Sequence, residues 1–145
     1  MGKTVFQGAG VALVTPMYPD LRINYSMLDQ MIDRQLTGHT DAIVVVGTSG
    51  EGSTLTDEEH CEVVEHTVRR VNHRIPVIAG VGSNNTSHAV ELSKGAARAG
   101  ADALLHVTPY YNKASQRGLV QHFNACANAT DLPVILYNIP SRTGV

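Results

Sequence analysis

The chain has 145 residues, enough to bury one ordinary domain core, with 43% hydrophobic and 17% charged residues and a net charge of −2. This composition has no basic excess to hold a nucleic-acid backbone or an anionic membrane, so it excludes both partners. No apolar run approaches the ~18 residues of a membrane span. The apolar stretch that begins at Val5 is interrupted by Gln7, Gly8 and Gly10, so it is not a signal peptide. We therefore expect a cytoplasmic protein.

The histidines and cysteines show no pattern of a metal site or a disulfide. Seven histidines are spread along the chain without an HExxH motif or a ligand cluster, so we predict no metal. Cys61 and Cys126 lack the CxxC spacing and fall on the apolar stripes of predicted helices, where a thiol behaves as a small hydrophobe. We expect both thiols to be reduced and structural, and no cofactor.

The first two predicted strands are apolar, β-branched runs at residues 11–14 and 42–46. Between them, apolar residues recur at helical spacing up to Leu36, with Asn24 as a candidate N-cap and Gly38 as a stop signal. A second helix begins after the capping box that Thr56 forms with Glu59. The remaining predicted elements are a strand at 77–79, a helix at 86–99, a strand at 103–107, a helix at 115–129 and a strand at 134–137.

Strands and helices thus alternate, which is typical of βα units around a parallel sheet. Periodicity alone does not distinguish an open doubly wound sheet from part of a (β/α)8 barrel, since both use the same right-handed crossover. Length favours the open sheet, because a closed barrel typically needs ~250 residues and eight strands.

In either architecture a functional site lies where the strands end, and polar motifs follow three of them. Residues 47–51 read GTSGE, a glycine-flanked hydroxyl pair whose amides and hydroxyls can bind a carboxylate; TPYYN stands at 108–112 and YNIPSRTG at 137–144. The glycine-rich loop at 80–85 lacks the GxGxxG order of a dinucleotide site, and we interpret it as structural. Each residue type has an ordinary structural explanation when it is considered singly: hydroxyls stabilise turns, tyrosine side chains pack against neighbours, and an arginine lies in solvent. Their convergence at one rim predicts a site for a small anionic substrate.

These motifs resemble those of the dihydrodipicolinate synthase and N-acetylneuraminate lyase superfamily of pyruvate-dependent class I aldolases. GTSGE is similar to its signature, TPYY to its tyrosine motif and YNIPSRTG to its strand-five loop, and the order and spacing match from Gly8 to Val145. Arg142 followed by Thr-Gly resembles the synthase branch rather than the sialic acid lyase. Ser49 departs from the pattern, since a second threonine is usual there, but it keeps the hydroxyl.

The resemblance implies a (β/α)8 TIM barrel, of which residues 1–145 would be the N-terminal part of a single domain with about five strands and four helices. It also implies a homodimer or homotetramer. The implied reaction belongs to lysine and diaminopimelate biosynthesis: a lysine on strand six forms an imine with pyruvate, and the enamine attacks aspartate 4-semialdehyde.

The resemblance further assigns roles to single residues. Thr48 and Ser49 would bind the pyruvate carboxylate, and Thr48, Tyr111 and Tyr137 would form a proton relay. Tyr111 would complete the site of a neighbouring subunit, and Arg142 would hold the carboxylate of the semialdehyde. A phenol suits a relay because its intrinsic pKa of ~10 lets it pass a proton without staying ionised.

The amine that this chemistry needs is not evident in the sequence. Lysine occurs only at Lys3, Lys94 and Lys113, and none is predicted at a strand end inside a barrel. We expect an incomplete record of a longer enzyme, because five strands without partners leave two unpaired edges; the other explanation is a fragment that cannot catalyse. A lyase for sialic acid or a 2-keto-3-deoxy sugar acid is the alternative activity.

The resemblance also indicates a possible allosteric site. Family members that lysine inhibits bind it at a dimer interface, where the acidic ligand of the lysine ammonium corresponds to His88. An imidazole lacks that negative charge, so we expect weak or no lysine inhibition. The matching positions are Ser53, His60, Asn84, His88 and Tyr110.

Overall fold

The structure, a computed structural model, describes residues 4–145 and is built on a five-stranded parallel sheet. The strands are β1 (Gly10–Ala12), β2 (Ala42–Val45), β3 (Val77–Gly80), β4 (Ala103–Val107) and β5 (Val134–Tyr137). The helices are α1 (Tyr25–Thr37), α2 (Asp57–Val71), α3 (Thr86–Arg98), α4 (Gln116–Ala127) and α5 (Pro140–Thr143). Within the described residues, no helix combines the length and the apolar character needed to cross a membrane.

Each strand pairs with the strand next to it in the chain, in the order β1-β2-β3-β4-β5. The prediction of an open doubly wound sheet, which the chain length favours, is therefore wrong, because such a sheet reverses its strand order at a switch point. Consecutive right-handed crossovers instead put successive helices on one face, where α1 packs on α2, α2 on α3 and α3 on α4. The arrangement is half of a β/α barrel.

The two faces of the sheet bury different side chains because strand residues alternate. On the helix side, Ile43, Val45 and Leu104 join the main core with the buried faces of the helices. On the other side, Ala42, Ile78 and Ala103 form a smaller cluster, against which Val5 and Phe6 of the N-terminal segment pack. This second face is the inner wall of the half-barrel.

The predicted helix caps are confirmed. The Asn24 side chain accepts a hydrogen bond from the Met27 amide at 3.0 Å and begins α1. Thr56 and Glu59 form the reciprocal capping box, with 3.2 Å from the Glu59 amide to the Thr56 hydroxyl and 2.9 Å from the Thr56 amide to the Glu59 carboxylate. Ser115, at the predicted start of the fourth helix, also caps α4: its hydroxyl accepts a hydrogen bond from the Gly118 amide at 3.2 Å. Each cap contributes about 1 kcal/mol to stability.

Several element boundaries differ from the predictions by one or two residues, and one short helix was not predicted. β1 covers Gly10–Ala12 rather than 11–14. β2 ends one residue early because Val46 has a φ of 48°, a left-handed conformation through which a strand does not continue. The fifth helix, α5, was not predicted. It is a single turn that begins at Pro140 and ends before Gly144, and so short a helix leaves no periodic signal in the sequence.

Both cysteines are free thiols. Cys126 is fully buried and Cys61 is half-buried, and burial raises the pKa of each thiol. A raised pKa keeps a thiol protonated and unreactive, which fits the predicted structural role.

A pair of histidines is buried between β4, α3 and α4. His106 has no exposed surface; its Nε2 lies 3.2 Å from the Ser93 hydroxyl, and its Nδ1 has no partner among residues 4–145. His122 lies on the buried stripe of α4, although the apolar spacing from Leu119 predicts Phe123 there. The His122 Nδ1 lies 2.9 Å from the Thr86 hydroxyl. Burial lowers the pKa of His106 to about 4 because a charged imidazole would lose its hydration there.

We expect the free energy of unfolding to fall as the pH drops from 7 to 5. The unfolded imidazole protonates near 6.5 whereas folded His106 stays neutral down to about 4, so the unfolded state binds more protons throughout this window. The loss due to His106 is about 2 kcal/mol. His106→Gln keeps a partner for Ser93 and should flatten the pH dependence in urea unfolding. Unfolding at pH 8, where the imidazole is neutral in both states, controls for packing; equal pH slopes would contradict the prediction.

Candidate active site

A cavity of about 510 Å³ opens on the inner face of the half-barrel, at the carboxyl ends of the strands. Carboxyl ends of parallel strands meet at one edge, so the loops that follow them converge there. Apolar side chains of Val44, Leu105 and Val107 form part of the wall. The predicted site residues that line the cavity are Thr48, Ser49, Ser53, His60, Tyr110, Tyr137 and Arg142.

The hydroxyl pair lies on the loop of residues 46–52, here called the hydroxyl loop. Thr48 and Ser49 are exposed, and neither hydroxyl has a hydrogen-bond partner among the described residues. The loop itself is anchored: the Thr15 hydroxyl donates to the Gly50 carbonyl at 2.7 Å, and the Gly52 amide donates to the Gly47 carbonyl at 3.2 Å. The hydroxyls therefore point from a fixed backbone toward a space in which a ligand can accept their hydrogen bonds.

Tyr137 and Arg142 approach the cavity from the end of β5. The amide of buried Thr108 donates to the Tyr137 carbonyl at 2.9 Å, and its hydroxyl lies 3.3 Å from the same oxygen. Arg142 lies on α5, where its amide donates to the Ile139 carbonyl at 2.9 Å, and its exposed guanidinium forms no ion pair with residues 4–145. The cavity thus has an unpaired cation, opposite in sign to the predicted substrate.

Tyr111 is not brought together with Thr48 and Tyr137. Its side chain is 89% exposed and does not line the cavity, and its φ of 70° is rare for a bulky residue. Neighbouring Tyr110 does line the cavity. Of the predicted relay, this chain therefore brings Thr48 and Tyr137 to one cavity and directs Tyr111 into solvent.

Of the predicted allosteric positions, Ser53, His60 and Tyr110 line the cavity described above, whereas Asn84 and His88 do not. The Asn84 side chain donates to the Tyr110 carbonyl at 3.3 Å, and His88 Nε2 lies 2.8 Å from the Asp57 carboxylate. His60 is buried, donates from Nε2 to the Gly80 carbonyl at 2.8 Å and leaves Nδ1 without a partner among the described residues. Burial lowers the pKa of His60. The carboxylate next to position 88 is therefore that of Asp57, and it is hydrogen-bonded to the His88 imidazole.

Neither described lysine reaches the cavity. Lys94 bonds to Glu91 at 2.9 Å along α3, and Lys113 is exposed in the loop after β4. Lys3 lies outside the described residues. Residues 4–145 contain no cluster of three His, Cys, Asp or Glu side chains that could hold a metal ion.

Two residues that position the site were missed in the sequence. Thr15 fastens the hydroxyl loop, and Thr108 holds the carbonyl of Tyr137, in each case across about 30 residues of chain or more. Thr108 stands in a motif, but Thr15 belongs to none. No local pattern indicates a bond between residues so far apart.

The fold and the site define a class: half of a β/α barrel with hydroxyls, a phenol and a guanidinium around one cavity at the carboxyl ends of its strands. The family model described as the dihydrodipicolinate synthetase family matches residues 5–145. The chain belongs to that family. The resemblance indicated by the motifs, and the barrel fold that it implies, are confirmed.

Three relatives show the extent of the match. A 4-hydroxy-tetrahydrodipicolinate synthase of Acetivibrio thermocellus is 53% identical over 100% of this chain and 49% of its own length. A chloride-inhibited dihydrodipicolinate synthase from Acinetobacter baumannii, complexed with pyruvate, has a TM-score of 0.95 and 51% identity over 98% of this chain and 48% of that one. The Cyanidioschyzon merolae enzyme with lysine bound has a TM-score of 0.90 and 42% identity over 95% and 48% of the two chains. The chain spans about half the length of the relatives it matches.

Proposed function

We propose that this chain supplies the carboxylate-binding part of a lyase site that condenses pyruvate with aspartate 4-semialdehyde through an imine, giving 4-hydroxy-tetrahydrodipicolinate. One observation carries the proposal: Thr48, Ser49, Tyr137 and Arg142, from two distant parts of the sequence, line a single cavity. The names of the relatives support the reaction, and the pyruvate complex of one relative supports the first substrate.

Pyruvate is the ligand that we assign to the hydroxyl loop. Its carboxylate offers acceptors that match the free hydroxyls of Thr48 and Ser49, and hydrogen bonds to a charged group are stronger than neutral ones. Because Thr15 and Gly52 already hold the loop backbone, little order has to be gained when the carboxylate binds.

Tyr137 and Thr48 are the relay members that we assign to this cavity. Tyr111 is the third member, and we propose that it acts in the cavity of a second copy, in a homodimer or homotetramer. Its 89% exposure supports this role, because a large aromatic side chain in solvent is available to a neighbour. Proton transfer by a positioned side chain typically contributes a rate factor of about 10² to 10⁴.

Arg142 is the residue that we assign to the second substrate. A planar guanidinium binds a carboxylate through two parallel hydrogen bonds, and the guanidinium here has no ion-pair partner in residues 4–145 to displace. This cation favours aspartate 4-semialdehyde, which has a carboxylate of its own, over the uncharged aldehyde that a sugar-acid lyase releases beside pyruvate. Turnover of a 2-keto-3-deoxy sugar acid, with none of the semialdehyde, would support the alternative lyase.

We propose that the imine-forming amine comes from residues outside this sequence. Lys94 is paired on a helix and Lys113 is exposed, so neither is enclosed where an amine becomes nucleophilic. Residues 1–145 would then be the N-terminal part of one cytoplasmic TIM-barrel domain, and would not catalyse the condensation alone.

Two substitutions in the complete product of the gene test the substrate assignments. Ser49→Ala should raise KM for pyruvate by about tenfold and leave KM for the semialdehyde unchanged. Arg142→Ala should raise KM for the semialdehyde by about 10 to 100-fold, because a charge-assisted pair is lost. The matched control is Arg117→Ala, which removes an exposed arginine from α4. If both variants act on the same KM, or neither acts, the proposal fails.

We also propose that lysine binds weakly at the possible allosteric site. The relative from Cyanidioschyzon merolae binds lysine, but here position 88 carries an imidazole that occupies the Asp57 carboxylate at 2.8 Å. His88→Glu should strengthen inhibition by lysine about tenfold, because it restores a charge-assisted hydrogen bond, and His88→Gln should not. Lysine titration of the complete gene product measures this. Strong inhibition of the unsubstituted enzyme would contradict the prediction.

A further inference from the structure

The hydroxyl loop has an unusual distribution of backbone conformations. Val46 and Glu51 are left-handed, with φ of 48° and 54°, and for a β-branched residue such as valine this is an outlier. Neither Gly50 nor Gly52 has a positive φ, although glycine adopts one without strain. The glycines therefore serve some purpose other than the left-handed turns of this loop.

That purpose is close approach to the backbone of Val46. A Cβ at Gly52 would lie 2.0 Å from the Val46 carbonyl oxygen, and one at Gly80 would lie 2.8 Å from the same atom. A Cβ at Gly50 would lie 2.9 Å from the Val46 nitrogen. Two glycines of the hydroxyl loop and the last residue of β3 thus enclose the backbone of Val46, and each position excludes a side chain.

The side chain of Val46 shows how the strain is offset. Strand alternation would place Val46 on the face opposite Val45, yet both belong to the same helix-side core, at 3% and 1% exposure. The left-handed turn is what brings a second consecutive valine into that core. Burial of its isopropyl group thus stabilises a backbone conformation that is locally unfavourable.

We propose that Val46 is a positioning residue, whose enclosed left-handed backbone fixes the hydroxyl loop so that Thr48 and Ser49 face the cavity before a carboxylate arrives. This inference rests on the proposed function, since it concerns the pyruvate end of the same site. A loop that is ordered in advance binds its ligand without the entropy cost of ordering.

The test compares Val46→Gly with Val46→Ala in the complete gene product. Both variants remove the isopropyl group, but glycine adopts the left-handed turn without strain, whereas alanine is strained there and lacks the burial that offsets the strain. Val46→Gly should be at least as stable as Val46→Ala and should keep its KM for pyruvate, whereas the KM of Val46→Ala should be about tenfold higher, with kcat of both variants within threefold. The amides of Thr48 and Ser49 should exchange hydrogen faster in Val46→Ala. A purely structural role would change stability without this separation of KM from kcat.

The substitution Gly52→Ala perturbs the backbone of Val46 without changing Val46 itself. It is the alternative test if the Val46 variants do not fold. Its methyl group displaces the Val46 carbonyl, so KM for pyruvate should rise. Gly47→Ala is the comparison: its methyl would meet only a side-chain atom of Val44 at 3.7 Å, and the increase should be smaller. Equal effects of the two alanines would overturn the inference.

The outcomes separate this inference from the proposed function. If Ser49→Ala raises KM for pyruvate but Val46→Gly and Val46→Ala share one KM, the inference is overturned and the proposed function stands. If Ser49→Ala has no effect, the proposed function fails. The inference is then decided by hydrogen exchange, and equal protection of the Thr48 and Ser49 amides in both Val46 variants overturns it.

Discussion

Borohydride reduction in the presence of pyruvate should leave the mass of this 145-residue chain unchanged. Reduction traps only an imine, and an imine forms when a lysine amine is nucleophilic near neutrality, as burial or a nearby cation makes it. Lys113 is exposed, and Lys94 is bonded to a carboxylate at 2.9 Å. Intact-mass spectrometry followed by peptide mapping would measure the result at all three lysines of the sequence.

The control is the same reaction on a chain that continues through a sixth strand. That chain should gain one reduced pyruvyl group on one lysine absent from residues 1–145. The effect is all or none, since a missing nucleophile is not replaced by better binding. A stable adduct on Lys113 of the shorter chain would contradict the prediction and would show that this half of the barrel supplies an imine-forming amine of its own.

Mixed oligomers of Tyr111→Phe and Tyr137→Phe subunits should recover activity that neither variant has alone. Each substitution removes one phenol of the proposed relay and should lower kcat by about 10² to 10⁴-fold. If Tyr111 acts in the neighbour's cavity, each mixed dimer has one site with both phenols. Random mixing of equal amounts then gives about a quarter of the unsubstituted activity, because half of the dimers are mixed and half of their sites are intact.

The control for this mixture is Tyr111→Phe combined with a subunit that carries both substitutions, in which no site has both phenols. The prediction would be wrong if verified mixed oligomers of the single variants were as inactive as this control. That result would place Tyr111 in the cavity of its own chain, which would require its loop to move from the exposed position described above.

Much of the fold was predictable because local rules agree with it. The capping box at Thr56 and the Asn24 cap act within one helical turn, so a short stretch of sequence contains them completely. The strand order was not predictable from periodicity, since both candidate architectures use the same βα unit. The early end of β2 was missed because Val46 has ordinary β-forming chemistry, and the close approach of Gly50, Gly52 and Gly80 to its backbone leaves no signal in the periodicity.

The grouping of the site residues was predictable because the carboxyl ends of parallel strands converge at one edge of the sheet. Thr48, Ser49, Tyr137 and Arg142 follow different strands, and the rule that carboxyl ends share one rim was enough to group them. Tyr111 follows a strand as well, but its loop turns outward at a φ of 70°. The direction of a loop after a strand depends on single backbone angles of this kind. The presence of a tyrosine does not predict a positive φ at its position.

The strand order also has a consequence for the way in which the chain folds. Paired residues such as Gly10 with Ala42, or Leu104 with Val134, are separated by roughly 30 residues, because each strand pairs with its successor. Each new strand therefore requires the closure of only one loop of this length, and no step of folding has to close a much longer loop. Each βα unit can therefore add to the edge left by the one before, in the order in which a ribosome delivers them.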